Sequence, residues 1–212
     1  MVGARAMLES RDLIAVAGWA VQARNPMRTL TRLLFDNNSL IRWRAIEAMG
    51  IVAGVESHKS IERVRRQVRR LFWLMNDESG GLCWHAPEAI GEILYNVPEL
   101  IDEFGTLLPS FFHEEPFEHG SRWAVSRVAP LKPSIFSDAV EELRHTLDHD
   151  DPAMRGYSIL ALRALGGQVD IAQVKRLSAD DSHFSLYDYQ TGQLTKTSVA
   201  QLAKECRDRV TG

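Results

Sequence analysis

Cys83 and His85 stand two residues apart behind the glycine pair Gly80-Gly81, and both side chains carry chemistry. A thiolate attacks electrophiles or binds a soft metal, and an imidazole exchanges protons or ligates. Residues i and i+2 point apart on a helix, so a shared site needs the non-helical entry that paired glycines allow. The primary reading is structural, with a redox, metal or ligand site as the alternative. Two other groups mix acids with histidine: His145, Asp148, His149, Asp150 and Asp151, and the shorter Asp180, Asp181, His183. Turn capping explains such polar clusters, whereas metal binding needs donors converging in space. No phosphate loop, dinucleotide loop or metalloprotease motif is present, so no catalytic, cofactor or metal residue is assigned.

Binding chemistry is better represented. Trp43 and Trp84 hold matching places in the chain, with Trp123 one position later in a weaker copy. Tryptophan fills gaps between helices or presents a large amphipathic contact face. With Arg42, Arg44, His85 and Arg127 as polar neighbours, the three indoles form the expected partner-binding set. Arg63, Arg65, Arg66, Arg69 and Arg70 make one segment locally basic. Solvation of an outer face is the first explanation for them; recognition of an acidic or phosphate-rich partner is the alternative.

The elements that hold these side chains have helical spacing along most of the chain. Apolar residues from Leu13 to Val21 predict a helix over about 8–23 that caps an array. Asn25-Pro26 starts the next helix, Asp36 to Ser39 makes a turn, and a second helix covers about 40–53. Ser60 to Asn76 predicts another, with Ile61, Val64, Val68 and Leu71 inward. From Trp84 a helix buries Ala86, Ala89, Ile90 and Ile93, with Pro87 distorting its start and Glu88 and Glu92 on a more polar face. Pro98 to Leu108 is helical until Pro109 interrupts it, with Phe111-Phe112 closing the core. Ile135 to Leu147 and Pro152 to Leu165 form a further pair, ended by Gly166-Gly167. Asp170 to Leu177 and Lys196 to Asp208 are the last helices. Between them, Ser182 to Gln193 reads as an ordered loop or a short extended excursion, since one lone strand makes no sheet.

The segments repeat. From Arg42, small or apolar residues fall at Ala45, Ala48, Met49 and Gly50; from Cys83, at Ala86, Ala89, Ile90 and Gly91. Ser121 recovers Ala124 and Val128-Ala129, with Arg127 departing from the small position, and Arg155 recovers Ser158, Ala161 and Leu162. Glu47 and Glu88 also align, as surface acids. On the pieces 36–50, 77–91, 115–129 and 149–166 the chain resembles the HEAT-like repeat superfamily, in particular the short repeats of the phycobilin lyase type. The resemblance implies an all-α fold, an alpha-alpha superhelix with the right-handed HEAT-like solenoid form. The expected organisation is one domain over 1–212, with residues 1–24 as an N-terminal cap and 25–208 as about five helical pairs, the last irregular.

Composition fits that class. In 212 residues, 45% hydrophobic content supplies a continuous core, and a net charge of -3 with pI near 6.2 disfavours broad nucleic-acid binding. Two cysteines make neither a disulfide framework nor a zinc cluster. No apolar run approaches a membrane span or has signal-peptide order, so a cytoplasmic location is expected. The expected function is a noncatalytic protein-binding or assembly scaffold that uses a concave helical surface and no cofactor. The partner is a protein, an acidic or phosphorylated one being the more specific form, with nucleic acid less favoured. The alternative is a HEAT-like enzyme handling a modified nucleic-acid base or a tetrapyrrole chromophore.

Overall fold

A computed structural model describes residues 3–76, 81–166 and 171–210. The expectations at Asp77, Gly80, Gly167 and Asp170 lie outside them. The chain divides into two compact units, 1–104 and 105–212.

Unit 1 begins with α1 (Ala4–Ser10) and α2 (Leu13–Gln22), two helices where the sequence predicts one. Arg11 ends α1 in the left-handed region at φ 51°, and the Asp12 carboxylate accepts the Ala15 N–H at 2.8 Å to start α2. Next come α3 (Pro26–Leu33) and α4 (Ser39–Ser57). In α4 the Asn38 side chain caps Leu40 N–H at 2.9 Å. Almost the whole of α4 from Ile41 to Ala53 is buried, because α2, α3, α5 and α6 all pack on it. Helix α5 (Ile61–Met75) buries Val64, Val68, Leu71 and Met75. Burying one such side chain contributes roughly 1.5–3 kcal/mol relative to leaving it in water. Its arginines occupy the opposite side.

Helix α6 (Ala86–Asn96) starts two residues later than Trp84, with Pro87 in the first turn, where its missing N–H costs nothing. Glu88 and Glu92 are not on a polar face: they are buried, at 5% and 2% exposure. His85 bonds one oxygen of Glu88 and Asn96 one oxygen of Glu92. Glu47, read as a surface acid, is likewise buried. The Arg11 fork holds it at 2.7 and 3.1 Å. Gly50 is small by necessity, since a Cβ there would run into Asn96 and Glu92.

Pro98 to Phe111 is mostly 3₁₀ helix, with only α7 (Ile101–Phe104) in α form. Pro109 has no N–H for a regular α-helical bond, so the segment after α7 winds more tightly. In unit 2, α8 (Glu118–Val128) precedes a second 3₁₀-flanked helix, α9 (Val140–His145), shorter than the 135–147 span predicted. Helix α10 (Pro152–Ala164) packs against α8 and is capped by Asp151, which accepts Ala153 N–H at 2.8 Å. Then α11 (Ile171–Leu177) leads into a hairpin, β1 (His183–Asp188) and β2 (Gln193–Ser198), followed by α12 (Val199–Val210). The excursion is thus a paired two-stranded sheet, with Asp188 opposite Gln193 and Gly192 at φ 65° in the turn. Residues 196–198, read as helix, belong to its second strand. The hairpin survives because it packs on helices: the Phe184 ring lies edge-on to Tyr157 at 5.3 Å, in the space left by Gly156.

Among the described residues, no helix is long and apolar enough to cross a membrane.

Candidate functional site

Arg42 and Arg155 show how the repeat builds its helix starts. Each lies four residues after a side-chain cap, Asn38 or Asp151, and turns back over the preceding loop. Arg42 donates to the carbonyls of Asp36 and Asn37 at 2.7 and 3.4 Å; Arg155 donates to those of His149 and Asp150 at 2.5 and 2.9 Å. The remaining nitrogens reach further along the chain. Arg155 forks onto the Asp180 carboxylate at 2.7 and 2.8 Å. Arg42 Nε–H donates to His85 Nε2 at 3.1 Å. With that nitrogen accepting, the imidazole proton sits on Nδ1, 3.1 Å from Glu88 Oε1, and donates to it. Arg42, His85 and Glu88 therefore form one chain of hydrogen bonds, with Glu88 Oε2 buried and without a partner.

Arg42 and His85 also line a recess of about 250 Å³ together with Leu34, Phe35, Leu82 and Trp84, while Glu88 stays buried behind them. Trp84 is 63% exposed and Phe35 53%. The recess thus has apolar lips and a polar wall.

The other predicted contact residues are placed differently. Trp43 is 7% exposed and lies in the core, unlike its exposed counterpart Trp84. Arg44 is buried and donates to the carbonyls of Leu8 and Glu9 at 2.9 and 2.7 Å. Both carbonyls lie in the last turn of α1, where Leu8 also accepts the Arg11 N–H and where a cation is favoured by the helix dipole. Trp123 is 4% exposed and stacks on Tyr189 at 6.3 Å, and the Arg127 guanidinium lies 4.3 Å above the same ring. Trp43, Arg44 and Trp123 are thereby withdrawn from any partner surface, because packing and helix-end acceptors take them up. The structure brings Arg42, Trp84 and His85 together and keeps Trp123 and Arg127 in unit 2, under the hairpin turn.

Cys83 does not join His85 as a reactive pair. Its side chain is 1% exposed, and burial, with the Glu88 charge nearby, pushes the thiol up to about 12. At neutral pH it is neither nucleophile nor anionic ligand.

Two further places gather residues whose first reading from the sequence was solvation or turn capping, with a binding site as the alternative. In unit 1 a groove of about 1190 Å³ lies between α3 and α5 and collects the exposed Arg24, Arg28, Arg63, Arg66, Arg69 and Arg70, with Trp73 also lining it. The arginine run along 63–70 was the available signal; Arg24 and Arg28 join it only through the packing of α3. One acid shares the groove, Glu56, whose carboxyl is raised by burial against the pull of Arg63 and Lys59.

In unit 2 a cavity of about 580 Å³ gathers His113, His119, His145 and His149 with several carboxylates around Arg122. Arg122 is 1% exposed, donates to the Phe112 and Glu118 carbonyls and to Thr146 Oγ1, and lies 4.5 Å over the Phe112 ring. Burial pulls it down to about 10, while Glu142 and Glu118 hold it up; it stays charged at neutral pH. His119 Nε2 meets Asp151 Oδ2 at 2.8 Å. Burial acts to raise the Asp151 carboxyl, but the Ala153 N–H and His119 outweigh it and leave the group below the usual range. The cavity offers proton-exchanging and hydrogen-bonding groups. Among the described residues, no three His, Cys, Asp or Glu side chains are placed to hold a metal ion.

No family model matches the chain. An uncharacterized protein of Archaeoglobus fulgidus is 28% identical over 183 residues, covering 85% of this chain and 94% of that one. Among solved structures, an engineered protein aligns with TM-score 0.57 at 16% identity, over 99% of this chain and 92% of its own. A designed armadillo repeat protein, solved in complex with the peptide (KR)4, aligns with TM-score 0.51 at 16% identity, over 93% and 92%. These likenesses show the fold: the chain is an all-α helical-repeat solenoid of the armadillo-like kind.

Proposed function

We propose that this chain is a noncatalytic protein-binding scaffold built on HEAT-like repeats of the phycobilin lyase type, and that the Trp84 recess is its docking site. The observation that carries the reading is the exposure of Trp84 and Phe35 around one recess that Arg42 and His85 also line. Large exposed aromatics beside fixed polar groups are what a protein interface uses as anchors. The apolar lining takes an apolar side chain of the partner, while Arg42, held in place by His85, orients it by hydrogen bonding from its remaining terminal nitrogen. The designed armadillo repeat protein solved in complex with the peptide (KR)4 supports a peptide or protein ligand for a repeat surface of this kind.

The test is affinity capture from native extract with the wild type and a Trp84→Ala/Phe35→Ala variant. Both substituted residues are exposed, so the variant is expected to keep its helical circular dichroism. The wild type retains a discrete partner and the variant loses it; no specific partner, or equal capture by the folded variant, overturns the reading.

A further inference from the structure

The groove between α3 and α5 carries charge that the rest of the molecule does not neutralise. The whole chain is net negative, at -3, yet six arginines and one glutamate line this groove. Arg66 and Arg70 make no ion pair among the described residues, and neither do Arg24 and Arg28 on the other wall.

The same helix shows what such a pair of arginines holds. Arg65 and Arg69, four residues apart, grip the Glu103 carboxylate together. Arg65 Nε bonds one oxygen at 2.6 Å, and an Arg69 terminal nitrogen bonds the other at 2.7 Å. Glu103 is held well below the usual carboxylate range, chiefly by its hydrogen bond from Arg65 against some desolvation, with Arg69 adding to it. Arg66 and Arg70 repeat that spacing one residue along the helix, turned by one residue's rotation into the groove.

We infer that the groove is a second docking site, and that its occupant is an extended, carboxylate-rich segment of a partner protein. Three observations select this ligand. Every cation lining the groove is an arginine, with no lysine, and the guanidinium fork matches the two oxygens of a carboxylate. The axial rise from Arg66 to Arg70 is about 6 Å, close to the roughly 6.7 Å between alternate side chains of an extended chain, so acids at alternate positions meet successive arginines. The volume exceeds that of a small-ligand pocket and fits a segment of several residues, while Trp73, 60% exposed, gives its apolar parts a surface. The charge is also local, which suits a short acidic segment better than a long polyanion that would meet the acidic remainder of the chain. The inference rests on the scaffold reading only for the source of the segment, and its site is separate from the Trp84 recess.

Fluorescence anisotropy with a labelled peptide of alternating glutamate and serine tests it. Wild type binds, and binding weakens as salt is raised through about 0.1 M, where charges are screened over roughly 10 Å. The Arg66→Ala/Arg70→Ala variant loses at least tenfold in affinity. Arg66→Lys/Arg70→Lys keeps the charge but not the fork and loses less; it decides the matter if the alanine variant fails to fold. A peptide with glutamine for glutamate does not bind. Trp84→Ala leaves the affinity unchanged, so failure of the groove and failure of the recess are told apart. The proposal is overturned by no binding of the acidic peptide, by equal binding of the glutamine peptide, by undiminished binding to a folded double variant, or by tighter binding of oligothymidylate or a phosphoserine peptide.

Discussion

Arg42 and Arg155 hold the same place in two repeats and end in different surroundings. Both follow an Asx cap by four residues and both cover two loop carbonyls. Arg155 then closes onto a carboxylate, Asp180, at the foot of the hairpin segment. Arg42 stops at an imidazole beside an open recess with Trp84 on its lip. The residue after each arginine differs in the same sense: Trp43 fills the core, whereas Gly156 leaves space for Phe184. One repeat is completed internally by the chain that follows it; the other keeps a surface with exposed aromatics. The repeat therefore supplies a common support, and its third partner determines whether the position is sealed or available.

If that contrast is right, the largest effect belongs to the sealed copy. Arg155→Ala leaves two carbonyls and a carboxylate without their charged donor and should cost about 3 kcal/mol in urea unfolding, against about 1 kcal/mol for Arg42→Ala. Equal losses would break the comparison. The two variants also separate at low pH. Burial acts to raise Asp180, but Ser182 and Arg155 outweigh it, leaving its folded value below 3.8. Its contribution is therefore complete above the unfolded value and lost as pH falls through the lower folded one. Denaturation midpoints followed from pH 5 to about pH 2 should show a shallower acid limb for Arg155→Ala, and the wild-type slope for Arg42→Ala.

Next in size is Gly156→Ala. The added methyl meets the Phe184 ring, so overpacking should cost about 1–2 kcal/mol and alter the near-ultraviolet signal of the Tyr157–Phe184 contact. An unchanged spectrum and stability would show that the hairpin does not depend on this seat. The smallest effect is of opposite sign. Ser158 stands where the other three repeats have Ala45, Ala86 and Ala124; it is fully buried, and its Oγ has no partner among the described residues. Ser158→Ala should be neutral or stabilising by up to about 1 kcal/mol, and a loss of stability in thermal melts would argue for a hydrogen bond there.

Much of the architecture was legible in the chain. The small positions of 45–50 and 86–91, the starts at Asn25-Pro26 and Asp151-Pro152, and the inward stripe of Val64, Val68 and Leu71 each follow from local spacing, and the helices lie there. The misreadings share a cause. Glu47, Glu88 and Glu92 look like surface acids because their periodicity cannot show that Arg11 arrives at Glu47 from 36 residues away, or that α4 and α5 pack over α6 and bury Glu88 and Glu92 against their local partners His85 and Asn96. The segment 182–193 reads as an ordered loop or a short extended excursion because its strand partner, 193–198, overlaps a helical pattern, and the pairing is supported by packing on α10 and α12.

The candidate sites divide the same way. Sequence alone determined that this chain is a repeat of helices, since 3.6-residue periodicity, caps and small-residue seams are local properties that each segment carries with it. It also placed an arginine run on α5 and tryptophans at matching repeat positions. Only tertiary structure decided which tryptophan was buried and which exposed, which arginine sealed a helix end, and that Arg24 and Arg28 meet the α5 run across one groove. Burial and charge pairing depend on which distant segment arrives at a position, and a spacing pattern within one helix has no information about that neighbour.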